Sequence, residues 1–154
     1  MTPAQQLALE SLAKRPLTAG EVALATVRND AGLCESISAG LPPRLIAREV
    51  GERGVLDALG PVEGEAFLAA LEAITTADDL PESAQPFFGA IRRGAAWLKG
   101  DGINVGSPTA RDLLDLLASV GEVSAASVAT LKALGQTADV LAVDAVSAIL
   151  NSEA

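Results

Sequence analysis

The stretch KGDGINVGSPTARDLLDLL, residues 99–117, distinguishes between two fold classes. It joins a glycine-rich loop to a helical pattern, as do the phosphate-binding turns of α/β proteins and the simple connectors between helices. A dinucleotide-binding turn requires G-x-G-x-x-G after a strand, whereas GDGINVG has one residue more and follows a helical pattern. A Walker loop ends in Gly-Lys-Ser/Thr, whereas here Gly106 precedes Ser107 and Pro108. The stretch therefore predicts a connector, in which Gly100 is a left-handed C-cap and Ser107 is the N-cap of the next helix.

The composition favours an all-α fold. The chain has 154 residues, of which 49% are hydrophobic and 20% charged, and it contains three Phe, one Trp and no Tyr. Its core must therefore be built from Leu, Val, Ile and Ala. Alanine has the highest helix propensity, and its small side chain lets helices approach closely. We expect a compact multi-helix domain of short capped helices.

Capping residues give the expected helix boundaries. Thr2 with Gln5 and Thr18 with Glu21 each predict a capping box, and Asp30 is expected to cap a third helix that ends at Gly40. Two prolines at 42 and 43 predict extended backbone, with one short extended segment near residues 44–46. Six further helices are predicted over residues 51–59, from 61 onward, 85–99, 107–121, 124–135 and about 140–150.

The same boundaries suggest how the chain is organised. An N-terminal helical segment over residues 1–40 and a helical core domain over residues 41–154 are one interpretation, and a single continuous domain over 1–154 is the other.

Two of the predicted helices carry apolar stripes. The helix from Pro61 has a stripe formed by Val62, Ala66, Ala69 and Ala73, and the helix over 85–99 has a face formed by Phe87, Ile91, Gly94 and Leu98. Trp97 adjoins the second face and is expected to be a core anchor rather than an interface hot spot. Gly89 and Gly94 each cost about 1 kcal/mol of helix stability relative to Ala. We therefore expect another helix to lie close to them.

The charge and the hydropathy pattern argue against two kinds of partner, nucleic acids and membranes. Eleven basic and twenty acidic residues give a net charge of −9, which repels phosphate backbones. The segment LLASVGEVSAASVATL has the layout of a helix-turn-helix, but its second helix offers only Lys132 to base edges. No nucleic-acid partner is expected. No membrane partner is expected either, since the chain has no uncharged apolar run of 18 residues.

Few groups are available for catalysis. The chain has no histidine and one cysteine, which removes Ser-His and Cys-His pairs and imidazole or thiolate zinc sites. Three carboxylate groupings remain as candidates for Mg²⁺ or Ca²⁺ binding or for acid–base work: Asp112 with Asp115, Glu65 with Glu72, and Asp78, Asp79 and Glu82. A solvated surface is the favoured interpretation of each, and Cys34 is expected to be a small buried residue. The sequence predicts no enzyme, no catalytic, cofactor-binding or metal residues, no cofactor and no small-molecule substrate.

Two long segments carry a resemblance to a known group of proteins. GVLDALGPVEGEAFLAALEAI and RRGAAWLKGDGINVGSPTARDLLDLLASVGEVSAASVATLKALGQ resemble small Ala-rich helical proteins of tailed bacteriophages, which end in an LKALG segment and a brief final helix. The similarity covers about residues 40–150. It implies a protein encoded among virion or tail genes, made in the host cytoplasm and located in the virion.

The expected function is a non-enzymatic virion or assembly component that acts through protein–protein contacts. Its partners would be other phage structural proteins or further copies of itself in a homo-oligomer. The alternative is a soluble phage factor in the infected cell, either an assembly chaperone or an acidic inhibitor of a host protein. The interface is expected on the N-terminal helices and on the segment around residues 44–53, at Arg44, Arg48, Arg53, Leu7 and Leu12.

Overall fold

In the computed structural model, residues 1–76, 85–121 and 123–152 are described, and they are mainly helical. The helices in these ranges are α1 (Pro3–Ala13), α2 (Ala19–Thr26), α3 (Asp30–Ala39), α4 (Glu52–Leu59), α5 (Pro61–Thr76), α6 (Phe88–Lys99), α7 (Pro108–Ser119), α8 (Ala125–Leu134) and α9 (Val143–Asn151). A 3₁₀ turn, Gln85–Phe87, precedes α6, and the same ranges contain four two-residue strands: β1 (Arg44–Leu45), β2 (Glu49–Val50), β3 (Ile103–Asn104) and β4 (Gln136–Thr137). The all-α prediction is confirmed, and β1 lies in the segment predicted to be extended.

Hydrogen bonds between a side chain and the nearby backbone determine where the helices begin. The Thr2 hydroxyl accepts from the Gln5 backbone N–H at 3.2 Å, and the Gln5 side chain accepts from the Thr2 N–H at 2.8 Å, which completes the predicted capping box. The prediction for α3 was wrong by one residue. The Asn29 side chain caps this helix by accepting from Gly32 N at 3.0 Å, and Asp30 is the first helical residue. Asn and Asp cap equally well, so the pair Asn-Asp does not fix the start.

In the 99–117 stretch, the left-handed backbone predicted at Gly100 lies at Gly102 instead. Gly100 has φ −91° and is not a left-handed cap; the positive φ, +91°, belongs to Gly102. The Gly102 N–H donates to Trp97 O at 2.8 Å, and a Cβ on Gly102 would lie 3.1 Å from Val50 O. The positive φ and the close approach to Val50 both favour glycine at position 102. Directly after it, β3 pairs with β2 in the antiparallel register Val50↔Ile103.

The chain divides into two compact units. One comprises Met1–Arg44 and Ala138–Ala154, and the other comprises Leu45–Thr137. The division differs from the predicted 1–40 and 41–154, because residues 138–154 belong with the N-terminal helices. Val146 and Leu150 of α9 are buried in the cluster of the first unit, which also contains Leu9, Leu33 and Ile37. The apolar face of α9 is visible in the sequence, but its packing partner is not.

The core of the second unit is formed by α4–α8 with β2 and β3. Phe67 and Leu71 of α5 pack there with buried residues of the other helices. The predicted stripe of α5 was wrong, since all four of its members are exposed and Val62 is 82% exposed. The buried face is formed by Gly64, Phe67, Leu71 and Ile74. An Ala-rich helix is apolar on two faces. Burial of the face with the larger side chains removes more apolar surface from water and therefore contributes more free energy to folding.

Candidate functional site

An apolar cavity of about 130 Å³ lies between α6 and α7 in the second unit. The residues that line it are Phe67, Leu71, Ile91, Gly94, Ala95, Trp97, Leu98, Gly102, Ile103, Asn104, Ser107, Thr109, Ala110, Leu113, Leu114 and Leu117. None of these side chains is charged, and only three are polar. The cavity lies where small residues of the two helices, Gly94, Ala95 and Ala110, face it and leave space.

The two glycines of α6 differ in their surroundings. A Cβ on Gly94 would lie 3.3 Å from Leu113 Cδ1, so α7 lies close to this position as predicted. The prediction for Gly89 was wrong, because a Cβ there would meet no atom of residues 1–76, 85–121 or 123–152 within 4 Å.

Trp97 lies at the rim of the cavity and is 53% exposed, so the prediction of a core anchor was wrong. Ile91, Ala95 and Leu98 take the buried face of α6, at spacings of four and three residues. Trp97 is one residue before Leu98, which places it about 100° around the helix from that residue. This offset was the signal in the sequence that Trp97 lies beside the core face.

Three polar side chains lie at the edge of the cavity. The Asn104 side-chain oxygen accepts from Arg48 N at 3.1 Å and from Gly106 N at 3.0 Å, which holds the loop before α7. The Ser107 hydroxyl accepts from Ala110 N at 3.2 Å as the predicted N-cap. Within the described residues, the Asn104 amide N–H₂ group and the Thr109 hydroxyl have no hydrogen-bond partner. These two groups are free to bind a polar atom at the edge of a ligand.

The glycine-rich loop is packed against its own unit. A Cβ on Gly106 would lie 1.8 Å from Ile46 O, and a Cβ on Gly135 would lie 2.6 Å from Gly106 N. The two glycines are therefore required by the close approach of backbone segments. The loop joins α6 to α7 through β3, which confirms the prediction of a connector.

The residues predicted to form an interface occur in both units. In the first unit, Leu7 is 70% exposed, Leu12 is half-buried and Arg44 is exposed. Arg48 and Arg53 are exposed in the second unit, and Arg53 Nε lies 3.9 Å from an oxygen of Asp57 on the next turn of α4. An interface at these five residues stays a prediction.

Two carboxylates of the predicted pairs bind lysines. Lys132 Nζ donates to both oxygens of Asp115, at 2.6 and 2.7 Å, and Lys99 Nζ donates to Glu72 at 3.1 Å. Within residues 1–76, 85–121 and 123–152, no three Asp, Glu or Cys side chains come together as a metal site would need. The third grouping, Asp78, Asp79 and Glu82, lies outside the described residues.

Glu21 is a charged side chain buried in the first unit, 1% exposed. Its two carboxylate oxygens accept from the Arg15 guanidinium at 2.7 and 2.9 Å, and they also accept from Thr18 N at 2.8 Å, from the Thr18 hydroxyl at 3.0 Å and from the Ser36 hydroxyl at 3.1 Å. The hydrogen bonds from Arg15, with those from Thr18 and Ser36, outweigh desolvation and lower the pKa of Glu21 to about 2. Because its oxygens are occupied, Glu21 stabilises the start of α2.

Cys34 is the buried small residue that was expected. Its thiol donates to Leu141 O at 3.1 Å within the first unit.

The segment with the layout of a helix-turn-helix forms the α7–α8 hairpin. Lys132, the residue of its second helix that could contact DNA bases, forms an ion pair with Asp115 of α7 in the same unit.

Comparisons with known proteins give no relative for this chain: no family model, no curated protein and no solved structure matches it. Among the described helices, none is both long and apolar enough to cross a membrane.

Proposed function

We propose that the chain is a non-enzymatic component of a tailed-phage virion or of its assembly, and that it acts through protein–protein contact. The observation that carries this proposal is the half-exposed Trp97 at the rim of an apolar cavity. Exposed tryptophan is enriched among the residues that dominate binding energy, especially where it adjoins a pocket that a partner can fill.

Further apolar side chains add to the surface available for contact. Phe87 and Val62 are exposed in the second unit, and Leu7 and Val140 are exposed in the first. Single exposed apolar residues are common on soluble proteins, so the surface around Trp97 is the one on which we base the proposal.

The assignment to a phage rests on the resemblance over about residues 40–150. Its partners would be other structural proteins of the particle or a second copy of this chain. The net charge of −9 favours the alternative function, a soluble factor that inhibits a host protein from within the infected cell.

A site-specific photo-crosslinker tests the proposal. Arg93 is exposed, lies one helical turn before Trp97 and has no ion pair with a described residue, so a benzoyl-phenylalanine at position 93 samples the surface around Trp97. The matched control carries the same group at Glu65, which is exposed on α5.

We expect an adduct with a particle protein or a second copy from position 93, its loss in Trp97→Ala, and no such adduct from position 65. Equal adducts from both positions, or none from a folded protein, would contradict contact through this surface. An adduct with a host protein would favour the alternative function.

A further inference from the structure

The size of the α6–α7 cavity matches one small ring. Its volume is about 130 Å³, and an engineered apolar cavity of about 150 Å³ in another protein stays dry and binds benzene. We propose that this cavity is a binding site for one uncharged apolar group of the size of a six-membered ring. The site does not depend on the phage assignment or on the proposed function.

The lining determines the chemical class of the ligand. Buried apolar side chains of three helices, among them Phe67, Leu98 and Leu114, form the wall, and no charged side chain of the described residues lines it. A charged group would lose its hydration there without gaining a counter-ion, so carboxylates and ammonium groups are excluded. A ring with one hydroxyl or carbonyl at its edge is accepted, because the Asn104 amide N–H₂ group and the Thr109 hydroxyl at the rim have no partner among the described residues.

The cavity is formed before any ligand binds. Leu71, Ile91, Leu114 and Leu117 contribute to the wall and also belong to the core cluster of the second unit, so the core holds their positions. Trp97 lies at the opening, where a bound ring would exclude water from part of the indole. Binding at this site therefore changes the environment of Trp97.

Toluene is the probe that tests the site. The chain has one Trp and no Tyr, so emission excited at the red edge of the indole absorption comes from Trp97 alone. We expect a saturable blue shift of this emission with toluene and none with benzoate, which has the same ring and a charge. Absence of a saturable response in the folded protein would overturn the proposal.

Two leucines of α7 provide a matched pair of variants. Leu113 and Leu116 are both half-buried, but only Leu113 lines the cavity. Leu113→Phe places a ring in the space and is expected to weaken toluene binding about tenfold or more, whereas Leu116→Phe leaves it unchanged. Equal toluene affinity in the two folded variants would overturn the proposal.

Two glycines of α6 provide a second matched pair of variants. This pair tests the site even if the leucine variants do not fold. Gly94→Ala and Gly89→Ala both increase helix propensity, but only the first adds a methyl group at the cavity, 3.3 Å from Leu113. We expect Gly94→Ala to bind toluene about threefold more weakly than Gly89→Ala. No difference between them would count against the site.

The same titration identifies the source of the ring. A free small molecule and a phenylalanine side chain of a partner protein share this chemistry. Binding of acetyl-Ala-Phe-Ala-amide, compared with acetyl-Ala-Ala-Ala-amide, supports a side chain as the occupant. Binding of toluene without the Phe peptide supports a free small molecule.

Discussion

Glu21 provides the sharpest test of how the first unit is stabilised. The substitution Glu21→Gln keeps the size of the side chain and removes its charge, so the bidentate interaction with Arg15 is lost. The pKa of Glu21 falls from an ordinary 4.5 to about 2 in the folded protein. At about 1.4 kcal/mol per pKa unit, this corresponds to at most about 3.5 kcal/mol of stability. Because the side chain of Arg15 is 31% exposed and solvent screens the pair, we expect a loss of about 2–3 kcal/mol at pH 7.

The pH dependence of this loss follows from the direction of the pKa change. A carboxyl with a lowered folded-state pKa stabilises the protein above its unfolded pKa, and this contribution disappears as the pH falls from about 4.5 to about 2. The difference in stability between the native protein and Glu21→Gln should therefore be largest at neutral pH. It should narrow progressively through this range as Glu21 becomes protonated.

Urea unfolding followed by far-ultraviolet circular dichroism measures the effect between pH 2 and pH 7. Glu35→Gln is the control, since Glu35 is exposed in the same unit and makes no ion pair with a described residue. We expect the control to change stability by less than about 0.5 kcal/mol. A Glu21→Gln variant as stable as this control at pH 7, or a loss that does not vary with pH, would show that the Arg15–Glu21 pair does not stabilise the first unit.

Three further predictions concern packing. Gly106→Ala should destabilise the protein by about 2–4 kcal/mol in urea unfolding, since its Cβ would lie 1.8 Å from Ile46 O; a loss below about 1 kcal/mol would contradict this packing. Val146→Ala should cost about 1–3 kcal/mol because Val146 is fully buried, whereas Val143→Ala, at a 43% exposed position, should cost less than about 0.5 kcal/mol; equal costs would argue against the placement of α9. Gly89→Ala should raise the thermal midpoint, through a gain of about 0.5–1 kcal/mol, because a methyl group there meets no atom within 4 Å in the part of the chain that the structure describes; a fall would show that the position is crowded.

The sequence predicts the features that depend on nearby residues. The Thr2 and Thr18 capping boxes and the Ser107 cap use hydrogen bonds over three residues, so their pattern is complete in a short window. The assignment between Asn29 and Asp30 was wrong because the two side chains offer the same acceptor at adjacent positions.

The features that depend on distant residues could not be predicted from the pattern. The exposed stripe on α5 is as regular as its buried face, and only packing against the neighbouring helices selects the face with Phe67 and Leu71. In the same way, α9 has an apolar face with Val146 and Leu150, but a period of 3.6 residues does not identify its partner.

The candidate site was predictable only in part. Gly94 indicated a close approach of two helices, which the position of Leu113 confirms. The cavity itself depends on α6 and α7 bringing Gly94, Ala95 and Ala110 to face the same space, and this requires the tertiary arrangement. The exposure of Trp97 follows from its offset from Leu98, but a tryptophan in an aromatic-poor chain is ordinarily expected in the core.

Counting copies of this chain in purified phage particles tests the proposal that it is a phage component acting through protein contact. Quantitative mass spectrometry with isotope-labelled peptides from α5 and α7 gives this number. We expect a fixed integer number of copies per particle, which would also indicate the symmetry of the ring or surface that contains the chain. Absence from the particle, with the chain abundant in infected cells, would contradict a virion component.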